Sequence, residues 1–147
     1  MTVLIRADAS LHIGSGHIMR CLVLAQGLML KGHNVSFACR PQSGDLIGFI
    51  RGKGFGVIEL VQAKEVVRPQ NSGDYAAWLQ VPWLDDANSL LEQIDNVDLL
   101  IIDHYALNRE WQSIIKGQLD CKVFVIDDLV RAHDADLILD QTLMRAE

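Results

Sequence analysis

What most constrains this chain is the alternation of short, mostly apolar runs with segments of helical period. Apolar runs occupy residues 3–5, 35–39, 55–60, 97–102, 123–126 and 135–139. A sheet with one wet face would alternate apolar and polar residues. Continuous runs imply strands covered on both faces, which is the habit of parallel sheets. Between the first two runs, Ile18, Leu22, Ala25 and Met29 recur at helical spacing over residues 17–31, and Gly32 closes that helix. Residues 45–53 form a short helix. Asp85 or Asp86 caps another running to about residue 94. Asn108 caps a helix over residues 108–116, with Glu110 in its first turn. The predicted fold is α/β, a Rossmann-like parallel sheet with helices on both faces and right-handed crossovers.

Residues 61–82 fit neither pattern. Pro69, Gln70, Asn71, Ser72 and Gly73 mark a loop, followed by Trp78 and Trp83. Loops of this length are usually functional or poorly ordered. With 147 residues, no internal repeat and no boundary, residues 1–147 read as one domain. The chain stops at Met144-Arg145-Ala146-Glu147, directly after a strand, as a parallel sheet or the first half of a larger protein could.

Thirteen Lys/Arg against nineteen Asp/Glu give a net charge of −6, and no basic cluster occurs. That argues against a nucleic-acid partner. A phosphorylated small molecule held by backbone amides stays open. Cys21, Cys39 and Cys121 are widely spaced and odd in number, the pattern of free thiols in a reducing compartment. No signal peptide is expected, because the start has no basic n-region or long apolar stretch, and no run is long enough for a membrane span. A cytoplasmic location is expected.

Ligands of open α/β sheets bind beyond the carboxyl ends of the strands. Four polar clusters fall there: Arg6 and Asp8, Asp103-His104-Tyr105, Asp127-Asp128, and Asp140. Strand-end aspartates also serve as caps and turn formers, so their concentration on one edge is the informative part. The sharpest feature is Ile13-Gly14-Ser15-Gly16-His17, between the first strand and the first helix. Glycines allow close backbone approach, and the helix N-terminus offers unpaired N–H groups to an anion. The loop is neither GxGxxG nor a P-loop. His17 lies in the first helical turn, where a positive ring is disfavoured. A neutral imidazole there can act as a general base or simply pack against the loop. Arg20, one turn on, either holds an anionic group or pairs with Asp8. His12, His33 and His133 have no partners at metal-ligand spacing, and the aspartates form no familiar magnesium cage, so neither metal nor cofactor is expected.

These residues carry a resemblance. Arg6-Ala7-Asp8 followed by Ile13-Gly14-Ser15-Gly16-His17-Ile18-Met19-Arg20-Cys21-Leu22 resembles the amino-terminal motif of the UDP-2,4-diacetamido-2,4,6-trideoxy-β-L-altropyranose hydrolases of pseudaminic acid biosynthesis. Val35-Ser36-Phe37-Ala38-Cys39-Arg40, Tyr75-Ala76-Ala77-Trp78-Leu79, Asp103-His104-Tyr105, Asp127-Asp128 and Ile138-Leu139-Asp140-Gln141 match in order and spacing. The resemblance implies the first half of a two-domain, GT-B-like protein whose second half binds most of the UDP. It implies His17 as the base that activates water for inverting attack at the anomeric carbon. Tyr105 becomes a second catalytic residue, and Gly14, Ser15, Gly16, Arg20, Asp103, His104, Arg6 and Asp8 become substrate-binding residues. Asp103 and His104 would orient Tyr105 or the loop. The implied partners are a UDP-sugar and a missing carboxyl-terminal domain, without which this chain is expected to be inactive. The competing readings are a GT-B glycosyltransferase, which would want an acceptor helix rich in Lys/Arg and apolar residues, and a non-catalytic nucleotide-sugar-binding domain.

Overall fold

The computed structural model describes residues 1–129 and 131–140. Its strands are β1 (Thr2–Ala7), β2 (Asn34–Cys39), β3 (Gly56–Glu59), β4 (Leu99–Asp103), β5 (Lys122–Ile126) and β6 (Leu137–Leu139). They form one sheet in the order β3-β2-β1-β4-β5-β6, parallel throughout. The helices are α1 (Gly16–Leu30), α2 (Ile47–Gly52), α3 (Trp83–Leu91) and α4 (Arg109–Gln118). The chain order reverses between β1 and β4, so a crevice opens there beyond the strand ends.

Strand pleating splits the apolar runs into two cores. Val3, Ile5 and Ala7 face α1 and α2 through Ile18, Cys21, Leu22, Ala25, Ile47 and Ile50. Leu4, Leu100 and Ile102 face α3 and α4 through Ala87, Leu90, Trp111 and Ile115. The runs are mostly apolar at successive positions because both faces are covered. Trp111 is fully buried, and truncating it would cost about 3–5 kcal/mol.

Helix ends follow local chemistry. Gly32, at φ 90°, leaves α1 through a Schellman turn, with Gly32 N–H donating to Met29 O and His33 N–H to Leu28 O. Asn108 caps α4 by accepting from Trp111 N–H at 3.0 Å. The entry to α3 departs from expectation. Pro82 occupies the cap position, Asp85 and Asp86 lie in the first turn, and the helix ends at Leu91. Asp86 cannot cap because its carboxylate turns inward to two arginines. The first and third strands and the second helix match the expected runs within a few residues, and the last strand is the shorter Leu137–Leu139.

Residues 61–82 contain one short 3₁₀ helix, Tyr75–Leu79. The Asp74 and Gln80 side chains tie it to the preceding loop, Asp74 by accepting from Gln70 N–H. Gln80 Oε1 accepts from Val67 N–H at 2.8 Å, and Gln80 Nε2 donates to Val67 O at 2.7 Å. All three cysteines are buried and free.

Candidate active site

The loop after β1 closes on itself. Gly14 N–H donates to Ser10 O at 2.8 Å, and Ser10 Oγ accepts from His12 and Ile13 N–H. Gly14 sits at φ 80°, a conformation that favours glycine. A neighbouring loop supports it: Leu11 N–H donates to Ser43 O, and Gly44, at φ 80°, leaves room where a Cβ would meet Leu11 N at 2.7 Å. Gly16 has an ordinary backbone, and a Cβ there would meet nothing. Ser15 is the N-cap of α1 but makes no side-chain cap bond. Gly14, Ser15 and Gly16 are all exposed. An uncapped helix start with an open approach is thus in place.

His17 projects from the first turn of α1 to the end of β4. Its Nδ1 lies 2.5 Å from Asp103 Oδ1. Arg20, one turn on, donates from Nε and Nη2 to the two oxygens of Asp103 at 2.5 and 2.6 Å, and from Nη1 to Asp128 at 3.2 Å. Asp103 is fully buried. Burial pushes its carboxyl up, but hydrogen bonds from Arg20 and His17 outweigh that and hold it below the usual carboxylate range. Asp103 is therefore an acceptor at neutral pH, and Nδ1 must be the protonated nitrogen of His17. In the neutral ring, that arrangement leaves the Nε2 lone pair for a proton. Arg20 was expected to hold an anionic group or pair with Asp8; the structure pairs it with Asp103 and Asp128, while Asp8 is turned to Arg6 and His104.

Aromatic rings pack around the imidazole. Tyr105 meets it edge-on at 4.7 Å between centroids, and Trp78 at 5.8 Å. Tyr75 touches both Trp78 and Tyr105. The Tyr105 hydroxyl donates to Asp128 Oδ2 at 3.4 Å. Burial and the nearby Asp128 push the phenol above its usual value, so it stays protonated.

Arg6, Asp8 and His104 lie behind this surface. Arg6 Nη1 binds Asp8 at 2.7 Å, and Arg6 Nη2 binds Asp86 at 2.6 Å. His104 Nε2 meets the other oxygen of Asp8 at 2.9 Å, and Arg40 N–H donates to Asp8 Oδ1. Asp86 further accepts from Arg40 Nη2 and from the Trp111 indole. All these groups are buried. The network joins the ends of β1, β2 and β4 to α3 and α4.

Sequence reasoning singled out the loop, His17, Arg20, Asp103 and Tyr105, and the structure brings the four side chains together. It placed Asp103 against Tyr105 or the loop, whereas Asp103 holds His17. It missed Asp86 and Arg40 as network members, and it noted Trp78 and Tyr75 without placing them at the site. The signal for Asp86 was weak, since a helix-start aspartate is ordinarily a cap. Gln141, part of the closing motif, lies outside the described residues. Among those residues, no group of three or more His, Cys, Asp or Glu side chains is placed to hold a metal ion, and no helix is long and apolar enough to cross a membrane.

No protein-family model matches the chain. It is similar to the UDP-2,4-diacetamido-2,4,6-trideoxy-β-L-altropyranose hydrolase of Campylobacter jejuni, 32% identical over 139 residues, or 95% of this chain. The match spans 41% of that relative's length. The similarity thus extends along nearly the whole chain, which spans less than half of that relative's length.

Proposed function

We propose that this chain is the base-bearing, amino-terminal half of a GT-B-like, two-domain UDP-sugar hydrolase that acts in the cytoplasm on a UDP-linked diacetamido-trideoxy sugar in pseudaminic acid biosynthesis. One observation carries the reading: the 2.5 Å contact between His17 Nδ1 and a buried Asp103 that Arg20 keeps ionised. A base must present an unprotonated nitrogen, and this contact assigns the proton to the other one.

In the proposed reaction, His17 Nε2 takes a proton from water as the water oxygen attacks the anomeric carbon. The bond from that carbon to the UDP oxygen breaks, and the electron pair leaves with UDP. Attack opposite the leaving group inverts the centre. Asp103 stabilises the imidazolium that forms. The amides of Ser15 and Gly16, at the open helix start beside Gly14, stabilise charge developing on the diphosphate. The Tyr105 hydroxyl, kept protonated, orients the water or the sugar. Arg6, Asp8 and His104 serve the site by holding the strand ends that carry it, with Arg20 fixing Asp103 from α1.

The test is UDP release from the UDP-sugar by the full-length protein. His17→Asn should lower kcat by about 10²-fold or more, with a much smaller change in KM. Turnover near wild type in that variant would remove His17 from the role. The 147-residue chain alone should show no turnover, because the binding energy that positions the anomeric carbon lies largely in the absent half.

A further inference from the structure

The segment that follows β5 carries two adjacent carboxylates with different partners. Asp127 is buried. Its Oδ1 accepts from Leu129 N–H at 3.0 Å, and its Oδ2 accepts from Arg131 Nε at 3.0 Å and from His133 Nε2 at 2.6 Å. Gln112, on α4, fixes that histidine. Gln112 Oε1 accepts from Asp134 N–H at 2.8 Å, so its Nε2 is the end that donates to His133 Nδ1, also at 2.8 Å. His133 Nδ1 is then an acceptor, and Nε2 carries the proton given to Asp127. Asp127 thus binds the segment to α4 and to the end of β5.

The same segment holds Tyr105 at both ends. Arg131, tied to Asp127 through Nε, donates from Nη1 to the Tyr105 carbonyl at 2.6 Å. Asp128 Oδ2 accepts from the Tyr105 hydroxyl at 3.4 Å and from Arg20 Nη1 at 3.2 Å. The ring between these two ends lies edge-on to His17 at 4.7 Å and stacks on Trp78 at 5.7 Å with 23° between planes. Packing therefore sets the ring, and the torsion of the O–H bond is what Asp128 sets.

A phenol has one proton to donate. Three charged side chains stand near it. Arg20, from α1, has only donors and cannot receive that proton. Asp103, at the end of β4, has its oxygens taken by His17 and Arg20. Asp128 is the carboxylate that receives it. With its proton directed there, the phenol oxygen meets any further group as an acceptor.

We propose that Asp128 is a positioning residue that commits the Tyr105 hydroxyl proton and so presents the phenol oxygen to the reacting water as an acceptor. Placing the water there rests on the hydrolase reading; the pairing of Asp128 with Tyr105 does not. In the reaction, one water proton passes to His17 Nε2 as the water oxygen bonds to the anomeric carbon, and UDP departs with the electron pair of the broken bond. The second proton stays on the product hydroxyl, hydrogen-bonded to Tyr105. Acceptors on both O–H groups of the water leave its lone pairs for the carbon.

The test uses the full-length protein, with UDP release from the UDP-sugar for kinetics and ¹³Cζ-tyrosine NMR for the phenol. The Tyr105 signal is identified by its loss in Tyr105→Phe. Asp128→Ala removes the acceptor. Asp128→Asn keeps a carbonyl oxygen, which the donors of Arg20 and Tyr105 draw to the place of Oδ2. Asp128→Ala should lower kcat about tenfold with KM nearly unchanged, and Asp128→Asn should recover most of that loss. Asp128→Ala added to Tyr105→Phe should lower kcat no further, because the two changes remove one interaction. Burial and Asp128 hold the phenol above its usual value while Arg20 pulls it down, so Tyr105 should titrate at a lower pH in both Asp128 variants. Losses that add in the double variant would overturn the proposal. So would an unchanged or raised kcat in Asp128→Ala, the result expected if Tyr105 donated its proton to substrate. Should Asp128→Ala not fold, the phenol in Asp128→Asn decides, and an unmoved titration there overturns the pairing. A phenol that does move in Asp128→Asn, in a protein that releases no UDP, would uphold the pairing and sink the hydrolase reading.

Discussion

Asp103 Oδ1 lies 2.5 Å from His17 Nδ1 across the junction of β4 and α1, and the same carboxylate takes two hydrogen bonds from Arg20. A single buried group therefore sets the tautomer of one α1 residue and anchors another a turn away. Asp103→Asn keeps the size but replaces an obligate acceptor with an amide that can present N–H to Nδ1. The ring would then carry its proton on Nε2, the wrong nitrogen for a base. In the full-length protein kcat should fall by about 10²–10⁴-fold with KM nearly unchanged. A loss confined to KM would assign Asp103 to binding instead.

Acid should unfold the chain through its buried carboxylates. Burial alone would raise Asp8, Asp86 and Asp103. Arg6 for the first two, with His104 beside Asp8, and Arg20 and His17 for the third, outweigh it and hold all three below their usual range. A group depressed in the folded state contributes stability that is fully present above its unfolded pKa, near 4, and is lost as pH falls through the folded value. Urea midpoints should be flat between about pH 7 and 5 and drop steeply below 4. Asp86→Asn should cost about 3–5 kcal/mol at pH 7, because two buried arginines lose their shared charge, and it should flatten the acid slope. A variant with the wild-type acid slope would show that Asp86 contributes nothing to it.

Catalysis should survive metal removal. Both oxygens of Asp103 are taken by His17 and Arg20, and Asp127 accepts from Leu129 N–H, Arg131 and His133. Carboxylates committed to cations and N–H groups are poor candidates for a magnesium shell. Dialysis of the full-length protein against EDTA should leave the rate of UDP release intact. A loss restored by Mg²⁺ or Mn²⁺ would show that these carboxylates exchange partners for a metal.

The parallel sheet covered on both faces was legible because apolar runs alternate with helical segments, whereas the strand order was not read from them; the loop after β1 was legible because glycine and histidine share a helix start. The buried network was not. Asp86 lies eighty residues from Arg6, and nothing local distinguishes an aspartate that caps from one that turns inward. Trp78 and Tyr75 were hidden for a related reason: their loop has no period, and its place beside His17 depends on the Asp74 and Gln80 side chains. Arg20 was read as holding an anionic group or pairing with Asp8, and only the fold shows Asp8 taken by Arg6 and His104 and Asp103 standing beside Arg20.

The glycines separate folding from function. Gly44→Ala places a Cβ 2.7 Å from the Leu11 backbone nitrogen at φ 80°, and no flexible side chain can yield there. It should destabilise the chain by about 1–3 kcal/mol and lower its melting temperature. Gly16→Ala meets no atom and keeps an ordinary backbone at the first position of α1, so stability should change by no more than about 0.5 kcal/mol. Its added methyl group does occupy the open approach to the uncapped amides. If those amides receive the diphosphate, Gly16→Ala in the full-length protein should fold normally yet raise KM for the UDP-sugar several-fold. Wild-type KM in a stable Gly16→Ala variant would show that the diphosphate never reaches this helix start, and the anion would have to be sought elsewhere.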